Sequence, residues 1–294
     1  MNIKLYPILL SCCLCAESQA QPDWTPLSLT DFTKNASDSW IAPPNGTSGA
    51  PRQGWLNTVD GFFTKEWHLS AAYKKDTQDT YTGTFQFQTP LARRLWMGID
   101  MPFVVNKGDE TDFGDVGLTL KTMFHETQDL SVSGGLGVRF ATGDKATGGD
   151  AWGLFPHVSA WSDVGNGWSL RGGVGIDVLP DKNTKPHYTF SGNFAVGHTI
   201  TPHSALLGDF TYYVAANLKV PLDDGQTTNL SLPQVPGVRG QTGGQSLDNV
   251  TVSLTPGIRT HIADNAFILL GVELPVTNPD PFDYQVNLLL VKGF

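Results

Sequence analysis

Pro281-Phe-Asp-Tyr-Gln-Val-Asn-Leu-Leu-Leu-Val-Lys-Gly-Phe294 decides the reading of the fold. Tyr284, Val286, Leu288 and Leu290 fall on every second position, and Phe294 shares their parity. Successive side chains of a strand point to opposite faces, so this alternation predicts a β-strand with one apolar face. Lys292 interrupts the pattern. Taken alone, the stretch also fits an edge strand of a soluble β-domain.

Working back along the chain, the same period recurs in about twelve segments: 66–76, 80–88, 95–105, 113–124, 129–141, 151–162, 167–179, 187–198, 204–217, 249–261, 265–276 and 283–294. Within 167–179, Trp168, Leu170, Val174, Ile176 and Val178 oppose Ser169, Arg171, Gly173, Gly175 and Asp177. Each segment is long enough for a tilted membrane strand of about 9–11 residues. Alternation alone also suits a soluble sandwich. The aromatics discriminate: Trp67, Tyr73, Tyr81, Phe87, Phe124, Trp168, Tyr188 and Tyr284 fall near strand ends on the apolar face, as in an interfacial girdle. The links add an independent check. Thr89–Arg94, His125–Gln128, Asp163–Asn166, Thr199–His203 and Ile262–Asn265 are short, whereas the intervening links include the long Ala141–Asp150 and Leu218–Asp248. Short periplasmic turns and long external loops are the pattern of outer-membrane barrels. The expectation is an all-β protein: a transmembrane, antiparallel, up-and-down β-barrel of about twelve strands in the outer membrane of a Gram-negative bacterium. The aromatic last strand resembles the closing strand of such barrels, which implies that the barrel-assembly machinery reads it. Lipid and lipopolysaccharide are its other expected partners.

The amino terminus agrees. Lys4, an apolar run from Leu5 to Cys15 and Ser18-Gln19-Ala20 read as a signal peptide over 1–20. Cys12, Cys13 and Cys15 all lie within it, so its removal leaves no disulfide framework and no Cys-metal site. Leu9-Leu10-Ser11-Cys12 is a poor lipobox, and acylation there leaves Ala20 without a role. A net charge of −9 argues against nucleic acid as a partner. Seven histidines without close ligand spacing predict no metal, and nothing predicts a cofactor. Residues 21–64 escape the strand pattern, with Trp24, Phe32, Trp40 and the Pro/Gly-rich stretch Pro43 to Pro51. They read either as a periplasmic lead-in or as a plug tucked into the lumen, ahead of the barrel at 65–294.

Three short motifs carry a resemblance. Phe113-Gly-Asp-Val-Gly-Leu118 is similar to a "G-D-x-x-L" strand start, Leu136 to Asp144 to an "L-P-T-G-D" strand-to-loop junction with Ala141 in place of Pro, and Ile99-Asp-Met-Pro-Phe103 to a "P-F/Y" strand end. Together they resemble a family of outer-membrane transporters named for the meta-pathway of phenol degradation. The resemblance implies a transport barrel with hydrophobic or aromatic small molecules as cargo, and it brings no catalytic residues.

By parity, Asp100, Asp115, Lys121, Arg139, Arg171, Asp177, Asp209, Arg259 and Glu273 face the lumen. An Arg or Lys turned toward lipid costs about 2–4 kcal/mol at the bilayer midplane, which supports the inward assignment. The signs are mixed, so the set serves as interior ion pairs or as a weakly selective lining. His68-Leu-Ser70 and His157-Val-Ser159 each place an imidazole and a hydroxyl on one strand face, the minimal pair for a nucleophile and its base. Parity turns both pairs into the lumen, and no third group clearly orients the His, with Asp100 and Asp209 the candidates left open. The link Leu218–Asp248, rich in aliphatics, reads either as a fold into the mouth or as a hairpin on the rim. The expected function is a non-enzymatic channel for passive uptake of small molecules. A structural or adhesive barrel and an outer-membrane lipid hydrolase are the alternatives.

Overall fold

A computed structural model describes residues 23–77, 79–107, 110–143, 152–179, 187–222, 250–263, 265–277 and 282–294. The segment expected to be a signal peptide and most of the Leu218–Asp248 link lie outside the described residues. Among the described residues thirteen strands occur in order: β1 (Glu66–Lys75), β2 (Thr80–Ala92), β3 (Leu95–Lys107), β4 (Glu110–Asp112), β5 (Val116–Glu126), β6 (Leu130–Phe140), β7 (Gly153–Gly165), β8 (Trp168–Leu179), β9 (His187–Thr199), β10 (Thr211–Pro221), β11 (Thr251–Ala263), β12 (Ala266–Pro275) and β13 (Tyr284–Gly293).

Twelve of them close a ring. From β5 to β13 each strand pairs antiparallel with the next, β13 pairs with β1 from Glu66↔Gly293 to Lys75↔Tyr284, and β1, β2 and β3 complete the circuit. The three-residue β4 pairs only with the outer end of β3. A closed antiparallel ring satisfies its backbone internally, which hydrocarbon demands. The stretch 284–291 behaves as its alternation requires. Gln285, Asn287, Leu289 and Val291 are buried inside, while Tyr284 and Leu288 are exposed on the outer wall. The girdle is present: Tyr73 packs on Tyr81 and Tyr284 at one end, and Phe87 stacks on Phe294 at the other.

Two strand starts differ from the sequence reading. β5 begins at Val116 rather than at 113, and Phe113 stands exposed in the link. β10 begins at Thr211 rather than at 204. The run Ala205-Leu-Leu207 mimics a strand in composition, yet Leu206 is 96% exposed and Asp209 adopts a positive φ of 51°. Thr201 closes this stretch into a loop, its hydroxyl donating to Leu207 O (2.7 Å) and accepting from Phe210 N (2.8 Å). The β9–β10 link therefore covers 200–210, well beyond the 199–203 expected. By contrast the β7–β8 turn is as tight as it reads, with Asn166 and Gly167 both at positive φ, the pairing favoured in two-residue hairpins.

Residues 51–64 lie inside the ring. Trp55 and Leu56 cluster with Ala195, Tyr213, Ala215, Leu269, Leu289 and Val291, Phe62 meets Trp161 edge-on, and Phe63 packs on Trp96. The wall is shaped to receive them: a Cβ on Gly197 of β9 would lie 2.4 Å from the Trp55 ring. Burying an aromatic or aliphatic side chain of this size is worth about 1.5–3 kcal/mol.

Candidate permeation path

All nine charged residues expected in the lumen are buried, and the structure divides them into groups. Four hold the N-terminal segment. Lys121 Nζ donates to Asp60 O at 3.1 Å and sits 4.0 Å from the Trp96 ring centre. Arg171 lies over Trp55 and pairs with Asp60 at 3.4 Å. Arg259 donates to Gln53 Oε1, and Glu273 accepts from Asn57 Nδ2 at 2.8 Å and from Ser253. Arg139 and Asp177 form a pair of their own nearer the outer end, at 3.7 Å. Asp100 accepts from Gln86, and Asp115, just ahead of β5, accepts from Gly143 N at 3.0 Å. Asp209 departs most from its expected place: it belongs to the 200–210 loop at the short-turn end and accepts from His203 Nδ1 at 2.6 Å.

The described hydrogen bonds take the two His–Ser pairs to other groups. His68 contacts Glu66 (2.9 Å) and Gln86 (3.0 Å), while Ser70 donates to Thr84 O. Ser159 donates to Asp60 O at 2.9 Å, and His157 stacks on Phe155.

Sequence reasoning missed the partners of the N-terminal segment. At the short-turn end, which is periplasmic in outer-membrane barrels, three acidic residues fasten it. Glu126 accepts from Arg52 (2.9 Å), Arg93 (2.6 Å) and Trp24 (3.2 Å), and its backbone exchanges two hydrogen bonds with Leu27. Asp129 accepts from Thr47 N and Oγ1, and Asp163 from Ser48 N and Oγ. Burial pulls the Arg52 guanidinium below its ordinary pKa, and the adjacent Glu126 carboxylate opposes that shift. The signal for an occupied interior was present in Ile268-Leu-Leu270 and Leu288-Leu-Leu-Val291. Their inward positions are apolar too, which a water-filled lumen does not require.

Among the described residues, the wall parts between β3 and β5. β3 pairs with β5 only as far as Asp100↔Gly117, and beyond this β3 turns to β4. Between the parted strands, Gly114 N donates to Pro102 O at 3.0 Å. A cleft of about 780 Å³ opens there, lined mainly by Phe85, Met101, Phe103, Phe113 and Val116.

A family model described as "Putative MetA-pathway of phenol degradation" matches residues 45–232. Among solved structures, the COG4313 outer membrane channel from Pseudomonas putida F1 is similar at a TM-score of 0.57 and 12% identity, over 79% of this chain and 96% of that one. The NanC porin is similar at 0.54 and 10%, over 78% of this chain and 99% of that one. These likenesses speak for the fold and, with the girdle and the closed ring, for a Gram-negative outer membrane. No curated protein matches the chain. With the family match spanning well over half its length, the chain belongs to the family described as "Putative MetA-pathway of phenol degradation" and is an outer-membrane β-barrel.

Proposed function

We propose that the barrel is a passive uptake channel for small, largely hydrophobic or aromatic molecules, with residues 21–64 acting as its plug. The observation that carries this is the interrupted β3–β5 wall. An apolar cleft beside a lumen filled by Trp55, Leu56 and Phe62 suits cargo arriving from the outer wall rather than down an open aqueous pore. The family of the chain and its likeness to a channel and a porin support transport over an adhesive or purely structural barrel. The dispersal of the His–Ser groups among other partners favours a non-enzymatic role over lipid hydrolysis. In this reading lipid and lipopolysaccharide surround the wall, and the barrel-assembly machinery inserts it.

The test is flux of an aromatic solute into proteoliposomes, measured for the wild type and for Val116→Lys, which places a charge in the cleft. Flux above that of protein-free vesicles, reduced in the variant, is expected. No flux in either, with the barrel shown to be folded, rejects the channel. Equal flux in both rejects the cleft as the route. Phospholipid hydrolysis by the same preparation would establish the enzyme instead.

A further inference from the structure

At the short-turn end, between the N-terminal segment and the wall, lies a cavity of about 510 Å³. Rings and cations share its lining: Trp40, Phe63 and Phe267 with Lys65 and Arg259. Arg259 lies 3.9 Å from the Phe267 ring centre and also donates to Gln53 Oε1. Lys65 Nζ sits 4.9 Å from the Phe294 ring centre and makes no ion pair among the described residues. The carboxylates on the same walls face histidines, Glu66 with His68 Nε2 at 2.9 Å and Asp209 with His203 Nδ1 at 2.6 Å. The buried indole N–H of Trp40 has no hydrogen-bond partner among the described residues.

A purely apolar ligand leaves the ammonium unused, and an inorganic anion leaves the rings unused. A planar ring carrying one acid group uses both, through ring stacking and charge-assisted hydrogen bonds. We propose that this cavity binds a small aromatic carboxylate, its ring among Trp40, Phe63 and Phe267 and its acid group toward Lys65 and Arg259. The inference rests on the uptake reading and names a cargo class for it, with the cavity as the station at the periplasmic exit.

Benzoate is the probe, titrated calorimetrically into the full-length protein in detergent after heat-modifiable gel migration has shown that the barrel is folded. Saturable benzoate binding is expected, with benzyl alcohol about tenfold weaker or worse, the scale of one lost charged contact, and acetate about as much weaker because it lacks the ring. Lys65→Gln should weaken benzoate about as much and leave benzyl alcohol unchanged, while Trp40→Ala should weaken both. Benzoate bound no better than acetate, no better than benzyl alcohol, or not at all by the folded protein overturns the proposal. So does an unchanged benzoate affinity in Lys65→Gln. Flux is measured on the same preparation. Binding without flux removes the channel and keeps the site, whereas flux without binding removes the site alone.

Discussion

The guanidinium carbon of Arg171 lies 3.6 Å from the ring centre of Trp55, and its Nη1 is 3.4 Å from Asp60 Oδ1. One wall residue thus grips two residues of the N-terminal segment, by a cation–π contact and an ion pair. Both are strengthened by burial, since Arg171 is 2% exposed.

From parity alone, Arg171→Ala removes one lumen positive charge and shifts ion preference toward cations. The contacts add a larger consequence. Losing the grip should loosen residues 55–60, so single-channel conductance should rise in addition to the shift in reversal potential. A shift in ion preference at unchanged conductance would return Arg171 to the role of a simple lining charge.

Gly61 meets the wall backbone directly: a Cβ there would lie 2.5 Å from the Ala160 Cα and carbonyl carbon. No side-chain adjustment relieves that clash, so Gly61→Ala must push the segment off β7 at a cost of about 1–3 kcal/mol. Limited proteolysis should then cleave within residues 45–64 faster than in the wild type. The barrel itself should keep its heat-modifiable migration, because its ladder is untouched. Unaltered cleavage would show that the segment does not lie against β7 as described.

Asp79, in the link between β1 and β2, accepts from Lys75 Nζ at 2.9 Å and from Tyr73 OH at 2.9 Å. The Lys75 hydrogen bond, then that of Tyr73, holds its pKa below the ordinary carboxylate value. The sign follows from linkage: the contact is fully present above the ordinary value and is lost as pH falls through the depressed one. Protease access to this link should therefore increase on acidification below the usual carboxylate range. Asp79→Asn should show the acid-state access at neutral pH and lose the pH dependence. A wild-type link equally accessible across the range would contradict the assignment.

The barrel was legible because its physics is local to each strand. Alternation at Ser169, Arg171 and Asp177 against Trp168, Val174 and Ile176 follows from lipid on one side and a closed interior on the other. The same logic misplaced Asp209, since three apolar residues at 205–207 imitate half a strand until the Thr201 hydroxyl is seen to close a loop. Partners inside the lumen were not legible. Trp55, Leu56, Val59 and Phe62 have the spacing of a helix face, yet the segment forms no helix, and several of their contacts lie far away in sequence, as at Leu56–Tyr213 and Phe62–Trp161. Aromatic residues and glycine mixed between a Pro-rich stretch and the first strand mark a segment too apolar for an exposed linker. They do not name the wall it meets.

Glu126 supplies the last test. Its carboxylate is buried and receives Arg52, Arg93 and Trp24, while its backbone bridges to Leu27. Removing the negative partner of buried cations is costlier than losing a surface pair, about 3–5 kcal/mol, because the guanidinium groups stay desolvated. Glu126→Gln keeps the shape and one acceptor but removes the charge. It should release residues 24–52 at the periplasmic end, seen as faster proteolysis there and a larger, noisier conductance. Adding Arg52→Met should recover part of the loss, since one buried cation then no longer lacks its counter-charge. If the double variant is as loose as the single one, the carboxylate acts through its hydrogen bonds to Trp24 and Arg93 rather than by neutralising Arg52. If neither variant loosens, the segment is held by the aromatic contacts at Trp55 and Phe62 alone.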